Sequence, residues 1–65
     1  MAMTDEQRRR AIKLLDDMGT TKAKGLLVSV NSFKGWLRIN LPSLYYNLNL
    51  GELLSFFQRL IQRYF

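Results

Sequence analysis

The sequence predicts an α+β domain, in which a three-stranded antiparallel sheet is flanked by an N-terminal helix and a C-terminal amphipathic helix. Three observations carry that expectation. Apolar side chains alternate with polar or aromatic ones in three short runs, turn formers separate the runs, and helix-capping residues stand outside them at both ends. In the first run Leu26, Val28 and Val30 share a parity; in the second Leu37, Ile39 and Leu41 do; in the third Tyr46, Leu48 and Leu50 do. The opposite parity holds Trp36, Arg38 and Asn40, then Tyr45, Asn47 and Asn49. One face of such a sheet builds a core, and the other presents amides, a guanidinium and aromatic rings. A second periodicity competes: Leu26, Val30, Phe33, Leu37 and Leu41 recur at spacings of three and four. A helix through them would take Val28, Ser29, Val30, Asn31, Ser32, Ile39, Gly25 and Gly35 into its interior, all poor helix formers, and the sheet is preferred on that ground.

The chain reads as one small domain over residues 1–65, with a helix at 4–18, the sheet at 25–50 and a helix at 50–65. Met1 to Met3 is read as a frayed start. Thr4 with Gln7 three residues on makes a capping box, and Gly19 supplies the C-terminal stop. Asp5 with Arg9, Glu6 with Arg10, and Lys13 with Asp17 are spaced to pair across the helix surface, while Ala11, Leu14, Leu15 and Met18 form its apolar stripe. Thr20 to Ala23 is a short connector, the first hairpin loop centres on Asn31 to Gly35, and Pro42 with Ser43 turns the chain into the third run. Asn49 caps the last helix, with Glu52 three residues on. Apolar residues from Leu50 to Phe65 cover half of that helix, more than a three-stranded sheet should need. The surplus, Leu54, Phe56 and Phe65, is expected to meet the first helix or a second copy in a homo-oligomer.

Composition narrows the function classes. With no histidine and no cysteine there is no imidazole base, no thiolate nucleophile and no zinc-type donor set; no catalytic residue, metal or cofactor is expected. No run approaches the roughly 20 apolar residues that span a bilayer, so a membrane protein is not expected and a cytoplasmic one is. Net charge is +5, unevenly spread. Residues 1–21 hold Asp5, Glu6, Asp16 and Asp17 against Arg8, Arg9, Arg10 and Lys13, which cancel. The remainder holds Lys22, Lys24, Lys34, Arg38, Arg59 and Arg63 against Glu52 alone, so the whole excess falls there. Such a surface favours an anionic partner, double-stranded DNA first.

The series Lys24-Gly25, Val28-Ser29-Val30, Phe33, Gly35, Leu37-Arg38-Ile39, Leu41-Pro42, Tyr46, Leu48 and Leu50-Gly51 resembles the N-terminal arm-type DNA-binding domain of phage-like tyrosine recombinases. The resemblance covers about 28 of 65 residues. It implies three strands then a helix, with the sheet in the major groove. No recombinase catalytic domain follows in this sequence, so a freestanding module is implied, a regulator or accessory factor of a mobile element. Asparagine reads adenine and arginine reads guanine in bidentate fashion, which makes Arg38, Asn40, Asn47 and Asn49 the expected base readers, beside Trp36 and Tyr45. Lys24 and Lys34 are placed at phosphates, with Lys22, Arg59 and Arg63. The competing expectation is a protein-interaction module, an inhibitor or adaptor acting through the apolar C-terminal helix. A third lays that helix in a membrane interface.

Overall fold

The computed structural model describes residues 3–65, and among them there is no strand. Five helices follow one another: α1 (Asp5–Met18), α2 (Thr20–Leu26), α3 (Val30–Asn40), α4 (Pro42–Asn47) and α5 (Leu50–Tyr64). The expected α+β fold and its antiparallel sheet over 25–50 are therefore replaced by an all-helical domain. The sheet implied by the recombinase resemblance is absent as well, and the residues that carry the resemblance form α2, α3, α4 and the start of α5.

Burial explains why the helical period wins. A sheet would hide Val28, Ile39, Tyr46 and Leu50 together, yet these are 75%, 81%, 68% and 66% exposed. Phe33, Leu37, Leu41 and Leu44, spaced by three or four, are buried instead. Four of the five helices, all but α2, also find a local start signal. The Ser29 hydroxyl accepts the Ser32 N–H at 3.1 Å and begins α3. Leu41, which precedes Pro42, leaves the helical region at φ −136° and ψ 62°, and this ends α3. Pro42 then occupies the first turn of α4, where its missing N–H costs nothing. Gly25 and Gly35, which argued against helix, sit on solvent-facing positions where each costs only about 0.5–1 kcal/mol.

The outer helices are capped by their own side chains. Thr4 and Gln7 bond reciprocally at the start of α1, and Gly19, at φ 93°, lets the chain turn from α1 directly into α2. Asp5 pairs with Arg8 rather than Arg9, and Lys13 with Asp17. The Asn49 side chain accepts the Glu52 N–H at 2.8 Å to open α5. Met1 and Ala2 lie outside the described residues, but the frayed start does not extend to Met3. Its side chain is buried, and its N–H donates to Glu52 Oε2 at 2.7 Å, tying the chain's beginning to the first turn of α5.

The core lies between the helices. Ala11 and Leu15 of α1, Ala23 of α2, Phe33 and Leu37 of α3, Leu44 of α4, and Leu53, Phe56 and Leu60 of α5 meet there, with Leu27 and Leu41 added from the turns. Phe33 is its aromatic centre, with ring centroids 6.1 Å from Trp36, 6.0 Å from Phe56 and 5.7 Å from Phe57. Burial of these apolar side chains, each contributing roughly 1.5–3 kcal/mol, holds five short helices together that would not persist singly.

Candidate nucleic-acid interface

Seven residues of α2, a three-residue turn (Leu27, Val28, Ser29) and eleven residues of α3 make a helix–turn–helix. Ala23, Leu27, Phe33 and Leu37 lock the pair to the rest of the domain, each with no more than 1% of its surface exposed. Ala23 carries only a methyl group, which lets α2 sit close to its neighbours. What α3 leaves outside is one face: Asn31, Ser32, Gly35, Arg38 and Ile39 are all exposed. At about 100° per residue, Asn31, Gly35 and Arg38 fall within an arc of about 60° and form its central line.

Four cations stand on these two helices. Lys22 and Lys24 are exposed on α2, Arg38 on α3, and Lys34 is half-buried on the flank of α3. None of the four has an ion-pair partner among the described residues; the Lys24 ammonium instead lies 5.6 Å from the Phe65 ring centre. Lys34 borders an open groove of about 400 Å³ with Tyr45, Tyr46, Leu48 and Leu50. The carboxylates are elsewhere and largely committed. Asp5 is held below the usual carboxylate range chiefly by its bond to Arg8. A second open groove, about 640 Å³, separates the starts of α1 and α5 and mixes Arg8 and Arg59 with Glu52. Among the described residues, no three His, Cys, Asp or Glu side chains come together.

The sequence-derived site is dispersed by this fold. Arg38, Lys24 and Lys34 stay on the helix–turn–helix. Asn40, Asn47 and Asn49 do not share a sheet face, because there is no sheet among the described residues, and each amide is bonded at a helix end. Asn40 Nδ2 donates to the Trp36 carbonyl at 2.9 Å, Asn47 Nδ2 donates to the Ser43 carbonyl at 2.7 Å, and Asn49 is the α5 cap. Trp36 is half-buried and stacked on Phe33, with an interplanar angle of 18°. Tyr45 is half-buried on α4, edge-on to Tyr46. Phe56, expected at an interface, is in the core at 3% exposure, whereas Leu54 and Phe65 remain exposed at 43% and 67%. Asn31 and Gly35 escaped sequence reasoning, which placed both in a hairpin loop. Their spacing of four, with Arg38 three residues further, is the signal that marks them.

Arg63 leaves the set of free cations. Its guanidinium donates to Asp16 Oδ2 at 3.0 Å, and the Tyr64 hydroxyl donates to Asp16 Oδ1 at 2.6 Å, which joins α5 to α1. The Tyr64 hydroxyl first, and Arg63 second, hold the Asp16 carboxyl below its usual range. Burial and the same Asp16 bond push the Tyr64 hydroxyl up. A carboxyl lowered in the fold contributes stability that is present above its unfolded pKa and is lost as pH falls through its folded pKa. The thermal midpoint should therefore drop on acidification below the usual Asp value of 3.8, and drop less in Tyr64→Phe. Melting curves recorded at stepped pH check this, and parallel acid profiles in the two proteins would contradict it. Comparison of the chain with protein-family models, curated proteins and solved structures finds no match.

Proposed function

We propose that this chain is a small DNA-binding protein that lays α3 in the major groove, with α2 crossing the phosphate backbone. The observation that carries the reading is that Lys22, Lys24, Lys34 and Arg38, all without an ion-pair partner among the described residues, stand on the two helices that bear the exposed line Asn31, Gly35 and Arg38. The major groove admits one α-helix, and there asparagine matches adenine and arginine matches guanine. Asn31 and Arg38 are therefore the base readers, and Ile39 offers an apolar contact for a thymine methyl group. Lys22, Lys24 and Lys34 meet phosphates, which gives affinity without sequence preference.

Titration of the protein against mixed duplex DNA at two salt concentrations tests the reading. Binding should weaken steeply with salt, and each of Lys22→Ala and Lys24→Ala should flatten that dependence by roughly one unit. Arg38→Ala should cost on the order of 1–3 kcal/mol of discrimination at one base position while its thermal unfolding matches the parent. Indifference to DNA and to salt would reject the reading and favour a protein-interaction module.

A further inference from the structure

We propose that the groove between the starts of α1 and α5 is a binding site for a phosphate monoester, gripped by Arg8 and Arg59. Guanidiniums from two different helices line this one groove, together with the Ser55 hydroxyl and the buried side chains of Met3 and Phe56. Arg59 is exposed and has no ion-pair partner among the described residues. Arg8 bonds to Asp5, but from the solvent side, since the Asp5 side chain is 80% exposed against 33% for Arg8. That bond takes one of several guanidinium N–H groups, fixes the planar fork, and leaves the rest for a ligand.

The charge balance selects the ligand class. Arg8 first, and Arg9 and Arg59 as well, hold the Asp5 carboxyl below its usual range, so three guanidiniums stand near a single carboxylate. Like charges brought together repel, and an anion held between them relieves the repulsion. A carboxylate brings one charge, and Asp5 already fills that role. A phosphate monoester brings a charge of about −1.5 to −2 and three strong acceptor oxygens, enough for guanidinium forks from two helices at once. Glu52 also lines the groove, but at its other end. It precedes Arg59 by about 10 Å along α5, and its Oε2 is occupied by the Met3 N–H. At about 640 Å³ the open groove admits the phosphate together with a small organic group resting on Met3 and Phe56.

The inference goes beyond the reading of α3 and is measured first without DNA, with inorganic phosphate as the probe. Titrated into the full chain at constant ionic strength, phosphate should shift the backbone resonances of Ser55 and Arg59 to saturation, and acetate should not. Arg59→Gln should weaken phosphate binding by about tenfold or more with helical circular dichroism retained. Ser55→Glu places a carboxylate four residues before Arg59, where it can pair with that guanidinium, and should do the same. Arg38→Gln, on the outer face of α3, should leave phosphate binding unchanged. Short duplexes with and without a 5′-phosphate separate the two sources of the group. A preference for the phosphorylated end that is lost in Arg59→Gln supports the site with nucleic acid as the source, and phosphate binding without that preference supports it with a small molecule. Shifts that never saturate, an equal response to acetate, undiminished binding in Arg59→Gln and Ser55→Glu, or an equal loss in Arg38→Gln would each overturn the proposal.

Discussion

Phe33→Ala is expected to cost about 3–5 kcal/mol and to abolish cooperative unfolding. A domain of this length is stable by only about 3–10 kcal/mol in all, at roughly 0.05–0.15 kcal/mol per residue, so one such loss consumes most of the margin. Phe33 is fully buried and is the ring through which α3 meets both Phe56 and Phe57 of α5. Truncation removes that bridge and leaves a cavity between α3 and α5. There is little freedom to collapse into it, because Trp36 is held in α3 and the adjacent Phe56 and Phe57 are held in α5. Urea unfolding followed by Trp36 fluorescence and by helical circular dichroism should show the two signals losing their sharp, shared transition. Phe57→Ala, at a half-buried position, should be milder. A coincident transition near the parent midpoint in Phe33→Ala would show that the centre of the core lies elsewhere.

Substitutions at Gly35 should move stability and DNA binding in opposite directions. A Cβ added at Gly35 meets nothing within 4 Å, and the residue is exposed within α3. Packing therefore gives no reason for glycine there, and Gly35→Ala should stabilise the fold by about 0.5–1 kcal/mol through helix propensity alone. If α3 enters the groove, the bare backbone between Asn31 and Arg38 is where DNA approaches nearest. Gly35→Glu adds bulk and a negative charge against phosphates and should weaken binding by about a hundredfold, equivalent to the loss of a good base contact or more. Thermal melts and duplex titrations on the same preparations read both effects. Undiminished binding by Gly35→Glu would remove α3 from the interface even if the protein still bound DNA by another surface.

The ends of the molecule were more legible in the sequence than its middle. Thr4 with Gln7, Gly19, and Asn49 ahead of Glu52 are signals that act within one helical turn, and a local signal survives whatever the rest of the chain does. Residues 20–47 fold as helices of seven, eleven and six residues, too short for a period of 3.6 to separate itself from a period of two. Val28 and Ile39 completed the apparent strand parities, and both turned out to face solvent. The glycines misled for a related reason, since their cost in a helix is small enough for five-way packing to override it. The asparagines were aligned in one row only by the sheet that is absent, and an amide on a sheet face and an amide that closes a helix end look alike in sequence. Of the expected site, the cations Lys24, Lys34 and Arg38 stay on α2 and α3 without ion-pair partners among the described residues, since the charge imbalance that singled them out does not depend on which backbone carries them.

The joints between helices have a kinetic consequence. One residue separates α1 from α2 and α3 from α4, two separate α4 from α5, and three separate α2 from α3. Each helix therefore starts within four residues of the end of the one before it, with almost no loop to close, and topologies of this local kind fold in about microseconds to milliseconds. Each molecule thus completes its structure through contacts within its own chain, and dilution would leave unchanged how fast it folds.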